Sequence, residues 1–169
     1  MLQLETAEAG RVALARLERT DGEALRRLFY RLSPETIYRR FLSPIARPDQ
    51  ARPERLLDLD DGDREAVAAV LGGEIVGVAR YFRLAGGCTA EIAVVVADDW
   101  QRQGLATRML ARLADLARAA GIEHFAITMQ ADNRPAVRLL RRLDSGARLV
   151  HSQGIYETSV PLGQRRTEQ

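Results

Sequence analysis

Three places in the chain combine residue types and spacings that suit chemistry. The first is the turn Gln101-Arg102-Gln103-Gly104-Leu105-Ala106-Thr107, set between the β-branched run Val94-Val95-Val96 and a strongly helical segment. A helix start carries unpaired N–H groups and a partial positive charge, and turn residues before it aim further N–H groups at one point. Gly104 lets an anion approach the backbone without a Cβ in the way, Ala106 keeps the next position small, and Arg102 adds charge from the side. The turn therefore predicts a phosphate or pyrophosphate held by the backbone of residues 102–107, with an ordinary strand-to-helix connector as the plain alternative. Neither the G-x-G-x-x-G spacing nor the Gly-Lys-Ser/Thr of a P-loop is present.

The second place is Glu91, the one ionisable residue in the apolar run TAEIAVVVA over 89–97. A carboxylate held there is a candidate general base, taking an amine proton directly or through water. Its plainer reading is a structural acid paired with a neighbouring Arg. The third is Asn133, ahead of Arg134-Pro135-Ala136, with the composition of a helix N-cap. Cys88, the sole cysteine, has no His near it in sequence and is assigned no nucleophilic role. His124 and His151 read as structural or substrate-rim residues.

The elements that must position these residues alternate. Residues 12–17 read as a strand. Thr20 and Glu23 have capping-box spacing before a helix with Leu25, Leu28, Phe29 and Leu32 inward. Ser33-Pro34-Glu35 opens a second helix, with Ile37, Tyr38, Phe41 and Leu42 on its apolar side. Residues 43–63 read mostly as loop. Two runs, 64–71 and 74–82, flank Gly72-Gly73 and predict a hairpin. Strand 89–97 belongs in the sheet interior, because both its faces are apolar. A long helix over 105–120 ends at Gly121. A strand over 124–130, a helix from Asn133 and a closing hairpin (148–151 and 155–160) complete the order β-α-α-β-β-β-α-β-α-β-β. The crossover from 89–97 through 105–120 to 124–130 predicts a parallel strand pair.

At this point the segment resembles a known signature. Gln101-x-x-Gly104-x-Ala106, after a buried strand and at the start of a long helix, is similar to the Gln/Arg-x-x-Gly-x-Gly/Ala motif of the GCN5-related N-acetyltransferases, the GNAT superfamily. The resemblance extends over nearly the whole chain through the element order. It implies a single α/β domain over residues 1–169 with an ordered core of about 10–162. The implied architecture is a mixed, mostly antiparallel sheet of six to seven strands flanked by about four helices. It also implies that Arg102, Gln103, Gly104, Leu105, Ala106 and Thr107 hold the pyrophosphate of acetyl-CoA, the acyl donor. Val94, Val95 and Val96 would pair with the pantetheine arm, one amide near Val94 or Val95 would face the thioester carbonyl, and Asn133 would contact the cofactor. Thr89-Ala90-Glu91-Ile92 is similar to the Ala-Glu-Ile segment in which such a Glu acts as base. The Tyr that many members carry in the helix after the Asn is Leu140 here, and Asp144-Ser145 replaces the common Gly-Phe, so no general acid is assigned.

Ser33-Pro34-Glu35-Thr36-Ile37-Tyr38-Arg39-Arg40-Phe41, preceded by Leu32, resembles a segment of the bacterial Pat-type protein lysine acetyltransferases. That implies a protein lysine as acceptor, such as one on an acyl-CoA synthetase. A small amine acceptor, or a non-catalytic acyl-CoA-binding module, are the alternatives on the same fold. The acidic stretch Asp58, Asp60, Asp61, Asp63, Glu65 reads as a solvated loop, or as a surface for a basic peptide. All 25 basic residues are Arg, and Lys is absent. A GC-rich genome accounts for this, and it also suits an enzyme of lysine chemistry. A net charge of +2 argues against nucleic acid as a partner. No run of about 18 apolar residues predicts a membrane span. MLQLETAEAG lacks the marks of a secretory signal, and one cysteine excludes an intrachain disulfide. The expectations are a cytoplasmic monomer or homodimer without a metal.

Overall fold

A computed structural model describes residues 11–41, 53–60 and 62–163. Seven strands form one sheet: β1 (Ala13–Arg16), β2 (Arg64–Leu71), β3 (Glu74–Arg83), β4 (Thr89–Val96), β5 (His124–Gln130), β6 (Val150–Ser152) and β7 (Ile155–Pro161). Four α-helices flank it: α1 (Gly22–Tyr30), α2 (Pro34–Phe41), α3 (Leu105–Ala119) and α4 (Arg134–Leu143). The spatial order is β1-β2-β3-β4-β5-β7-β6, antiparallel everywhere except between β4 and β5. The element order, the interior place of β4 and the parallel crossover agree with the sequence reading. Of the predicted loop 43–63, residues 43–52 and 61 lie outside the described residues, as does Leu42 of the predicted second helix, and Pro53–Leu57 forms a short 3-10 turn.

Period-two alternation sorts the strand side chains onto two cores. On β2, Val67 and Ala69 join the core under α3, while Ala66, Ala68 and Val70 join the core under α1 and α2. On β4, Ala90, Ile92 and Val96 face α3, and Val95 faces the other side. Glu91 and Ala93 share the face of Val95, so alternation alone turns Glu91 toward α2. β3 breaks the rule once. Ala69 pairs with Gly77 and Val70 with Ile75, so Val76 is an extra residue and a bulge switches the faces. Val76 then lies in the α3 core and Val78 in the α2 core, although both have even numbers.

Helix α3 buries Leu105, Met109, Leu110, Leu113, Ala114 and Ala117, a stripe at helical spacing. Gly121 follows it at φ +75°, the left-handed conformation expected after a helix end. Gly72 (φ +56°) and Gly73 (φ +84°) make the β2–β3 turn, both in the region that tight hairpins require. At the first helix the sequence reading needs correction. α1 starts at Gly22, and Asp21 rather than Thr20 occupies the position before it. The Asp21 carboxylate accepts a hydrogen bond from the Glu18 N–H at 2.8 Å.

Candidate active site

The site begins where the sheet forks. β4 and β5 pair only through Thr89–His124, Ala90–Phe125 and Glu91–Ala126. Beyond that, β4 continues to Val96 paired with β3 alone, and β5 continues to Gln130 paired with β7. Along Ile92 to Val96, the backbone groups that alternate toward β5 meet no strand. Glu91 is the last paired residue and marks the apex of the fork. A cleft of about 270 Å³ opens there. It is lined by Arg39, Arg40 and Phe41 of α2, by Glu91 to Val94, and by residues of β5 and α4 that include Asn133 and Leu140.

At the far end of β4 stands the turn before α3. None of the backbone N–H groups from Arg102 to Thr107 has a hydrogen-bond acceptor among the described residues. Arg102 (φ +61°) and Gly104 (φ +78°) are left-handed, a backbone alternation that points successive N–H groups to one side. No atom lies within 4 Å of a Cβ built on Gly104, so what the site needs from glycine is the φ angle and an open approach. Glu91 and Val96 are five residues apart, about 17 Å of strand. The edge between them joins the fork to this concentration of N–H donors.

Two of the sequence-selected residues prove to be structural as well. The Asn133 side chain accepts from the Ala136 N–H at 3.2 Å, so it caps α4 while lining the cleft. Gln101 does not face the turn's N–H groups. Its side-chain amide donates to the Val96 carbonyl at 3.1 Å and to the Thr36 hydroxyl at 3.2 Å. The carbonyl of Val96 is thus already occupied. Around the same point, Asp98 accepts from the Ser33 N–H (2.9 Å), the Ser33 hydroxyl (2.7 Å) and the Thr36 hydroxyl (2.8 Å). Burial alone would push the Asp98 carboxyl up. The bonds from Ser33 and Thr36 outweigh it and hold the group below its ordinary value of 3.8. This clasp ties the start of α2 to the turn before α3.

Residues 26–144 match the Acetyltransferase (GNAT) family. The chain belongs to that family. As a GNAT acetyltransferase it is an acyltransferase, and its relatives agree. It is 35% identical to an acetyltransferase of Pseudomonas aeruginosa over 136 residues, covering 78% of this chain and 73% of that one. It is 32% identical over 114 residues to acetyltransferase Pat of Mycolicibacterium smegmatis, covering 66% of this chain and 34% of the relative. The chain therefore spans about a third of the Pat sequence. Among solved structures, the GNAT domain of S. lividans PAT superimposes with a TM-score of 0.81 at 27% identity, covering 90% of this chain and 91% of that domain.

Within this GNAT domain two guanidinium groups share the neighbourhood of Glu91, the kind of neighbour that its plainer reading as a structural acid calls for. Arg80 lies on the same face of β3, beside the Phe82–Glu91 pair, and Arg40 enters from α2. Burial pushes the Arg40 guanidinium down to about 10; the like charge of Arg80 adds to the fall and Glu91 opposes it. Burial also lowers Arg80, with Asp58 raising it, Arg64 lowering it and Glu91 raising it. Neither arginine was picked out from sequence, although a signal existed for Arg40. Ile37, Arg40 and Phe41 fall at i, i+3 and i+4, so Arg40 shares a face with two apolar residues.

Of the remaining candidates singled out in the sequence, only Leu140 borders the cleft. Leu140, where many family members place Tyr, is 1% exposed and lines the cleft as an apolar wall. His151 stacks edge-on against Tyr156 at 5.4 Å and does not line the cleft. Cys88, Glu123 and His124 cluster with ligand atoms within 4.8 Å of one another, at the opposite end of the β4–β5 ladder from the fork's opening. The acidic stretch is largely used up internally. Asp58 pairs with Arg64 at 2.7 Å, Asp63 with Arg83 at 2.7 Å, and buried Glu65 with Arg16. Asp61 lies outside the described residues. Among the described residues, no helix is long and apolar enough to cross a membrane.

Proposed function

We propose that this chain moves the acetyl group of acetyl-CoA directly onto an amine, with a protein lysine side chain as acceptor and Glu91 as general base. One observation carries the reading. A single strand bears a carboxylate at the apex of an open fork, and six N–H groups with no acceptor among the described residues follow its far end. The N–H run from Arg102 to Thr107, with Arg102 beside it, suits a pyrophosphate. The unpaired edge of Val94 and Val95 suits a pantetheine arm laid down as an added strand, and Asn133 borders its path.

The chemistry then follows from position. The amine lone pair attacks the thioester carbonyl, and an N–H of Val94 or Val95 stabilises the developing oxyanion. Glu91 accepts the proton that the amine sheds, directly or through water. The C–S bond breaks, and the departing CoA thiolate takes its proton from water. Leu140 offers no proton in the place where many relatives have Tyr. The lysine acceptor is supported by the Pat-like segment from Leu32 to Phe41, whose last three residues, Arg39 to Phe41 of α2, line the cleft. A cleft of about 270 Å³ also has room for a small amine. The cytoplasm, with a monomer or homodimer, remains our reading from composition.

The test is incubation with labelled acetyl-CoA and a panel of proteins and small amines, comparing wild type with Glu91→Gln. Turnover should fall by about 100-fold or more at neutral pH. The deficit should narrow as the pH approaches the amine's own pKa of about 10.4. Full turnover by the variant at neutral pH would show that Glu91 is not the base. Transfer to small amines alone would replace lysine with that class.

A further inference from the structure

The charge balance of the cleft carries an inference about the acceptor, and it rests on the acetyl-transfer reading above. Three charged side chains line the cleft: Arg39, Arg40 and Glu91. Arg39 is satisfied by Glu35 one helical turn away, at 2.5 Å. Arg40 is not. Its guanidinium stands over the Phe41 ring at 4.8 Å from the centroid. Among the described residues it has no hydrogen bond and no ion pair, and its charge interacts with Glu91 and Arg80 only through space. Arg80 makes one hydrogen bond among the described residues, to the Arg55 carbonyl at 3.3 Å. Asp58 offsets part of the Arg80 charge, whereas Glu91 is the one carboxylate whose field opposes the lowering of Arg40.

A guanidinium withdrawn from water without a partner is costly, and an arriving carboxylate recovers that cost through a forked, charge-assisted bond. An arriving cation adds to the imbalance. The excess positive charge also favours the neutral form of an incoming amine, the form that attacks. We propose that Arg40 is a specificity-determining residue that takes an anionic group beside the reacting amine, so that the preferred acceptor is a protein lysine flanked by Asp or Glu. This reverses the idea of a basic peptide drawn to the 58–65 segment. Asp58, Asp63 and Glu65 are engaged by the chain's own arginines, whereas the cleft is lined by two arginines and one carboxylate.

The experiment uses single-lysine peptides, identical except for neighbours that are Asp/Glu, Ala or Arg, with acetyl-CoA and the intact protein. Wild type should show kcat/KM about tenfold higher for the acidic set than for the Ala set, and lower values for the Arg set. Arg40→Gln should flatten that order, Arg40→Lys should keep most of it, and both should bind CoA as wild type does. The inference is overturned by a flat wild-type profile, or by a preference that survives in Arg40→Gln. It is equally overturned if Arg40→Gln weakens CoA binding tenfold and leaves the preference intact, since Arg40 would then serve the cofactor. Transfer without charge preference sinks only this inference. No transfer to any peptide sinks the lysine reading with it.

Discussion

Replacing Asp98 by Asn should loosen the contact between α2 and the turn before α3, and pH should control how much is lost. Asp98 Oδ2 accepts the Ser33 N–H, and Oδ1 accepts the hydroxyls of Ser33 and Thr36, at 2.7–2.9 Å. An Asn presents one oxygen and one NH2, so at least one acceptor site becomes a donor facing a donor, and the charge is lost. Charge-assisted bonds contribute up to about 3 kcal/mol when protected. This carboxylate is exposed, so solvent screening reduces the expected cost to about 1 kcal/mol. For a chain of this size that corresponds to about 3 °C in Tm. The sign with pH follows from the depressed folded-state pKa. The contribution is fully present above the unfolded value near 3.8 and disappears as the pH falls through the lower folded value. Urea unfolding of both proteins from about pH 7 down to about pH 3 should show the gap closing on the acid side. A Thr36→Val cycle at neutral pH should return a coupling of about 0.5–1 kcal/mol. Equal stabilities at pH 7, or a gap that persists undiminished in acid, would refute the reasoning.

Two further outcomes are expected. A Cβ on Gly77 would meet Met109 Cε at 3.0 Å and the Val95 carbonyl oxygen at 3.2 Å. The methionine can yield but the backbone cannot, so Gly77→Ala should cost about 1–3 kcal/mol, and denaturant unfolding at unchanged slope would measure it. Gly104→Ala places a side chain at φ +78° and beside the N–H run, so calorimetry should show CoA affinity reduced about tenfold against a stability loss of about 1 kcal/mol. Arg102→Glu should weaken CoA binding without lowering Tm, and unchanged affinity in both variants would remove the pyrophosphate from this turn.

Much of the site was readable because it is built from neighbours in the chain. A strand, a left-handed glycine and a helix start follow one another between Val94 and Thr107, and local backbone preference decides each step. The Gly72-Gly73 hairpin, the Asn133 cap and the Gly121 stop were legible for the same reason. Strand β3 was less so. Plain alternation puts Val76 and Val78 on one face, and only the bulge against β2 separates them. The Ser33-to-Thr36 stretch was read as a helix start, which it is, since Ser33 Oγ accepts the Thr36 N–H at 3.2 Å. Its second role, holding Asp98, depends on a contact 65 residues away.

Local order along the chain thus determined the class of fold, the family signature and the turn proposed to hold an anion, because propensity, periodicity and helix-end electrostatics act over a few residues. Tertiary structure alone decided what surrounds Glu91. The sheet had to fork after three parallel pairs to open an edge beside it. Strand β3 and helix α2 then had to deliver Arg80 and Arg40 from elsewhere in the chain. Electrostatic fields act through space, and no spacing in sequence records which charges folding will bring together.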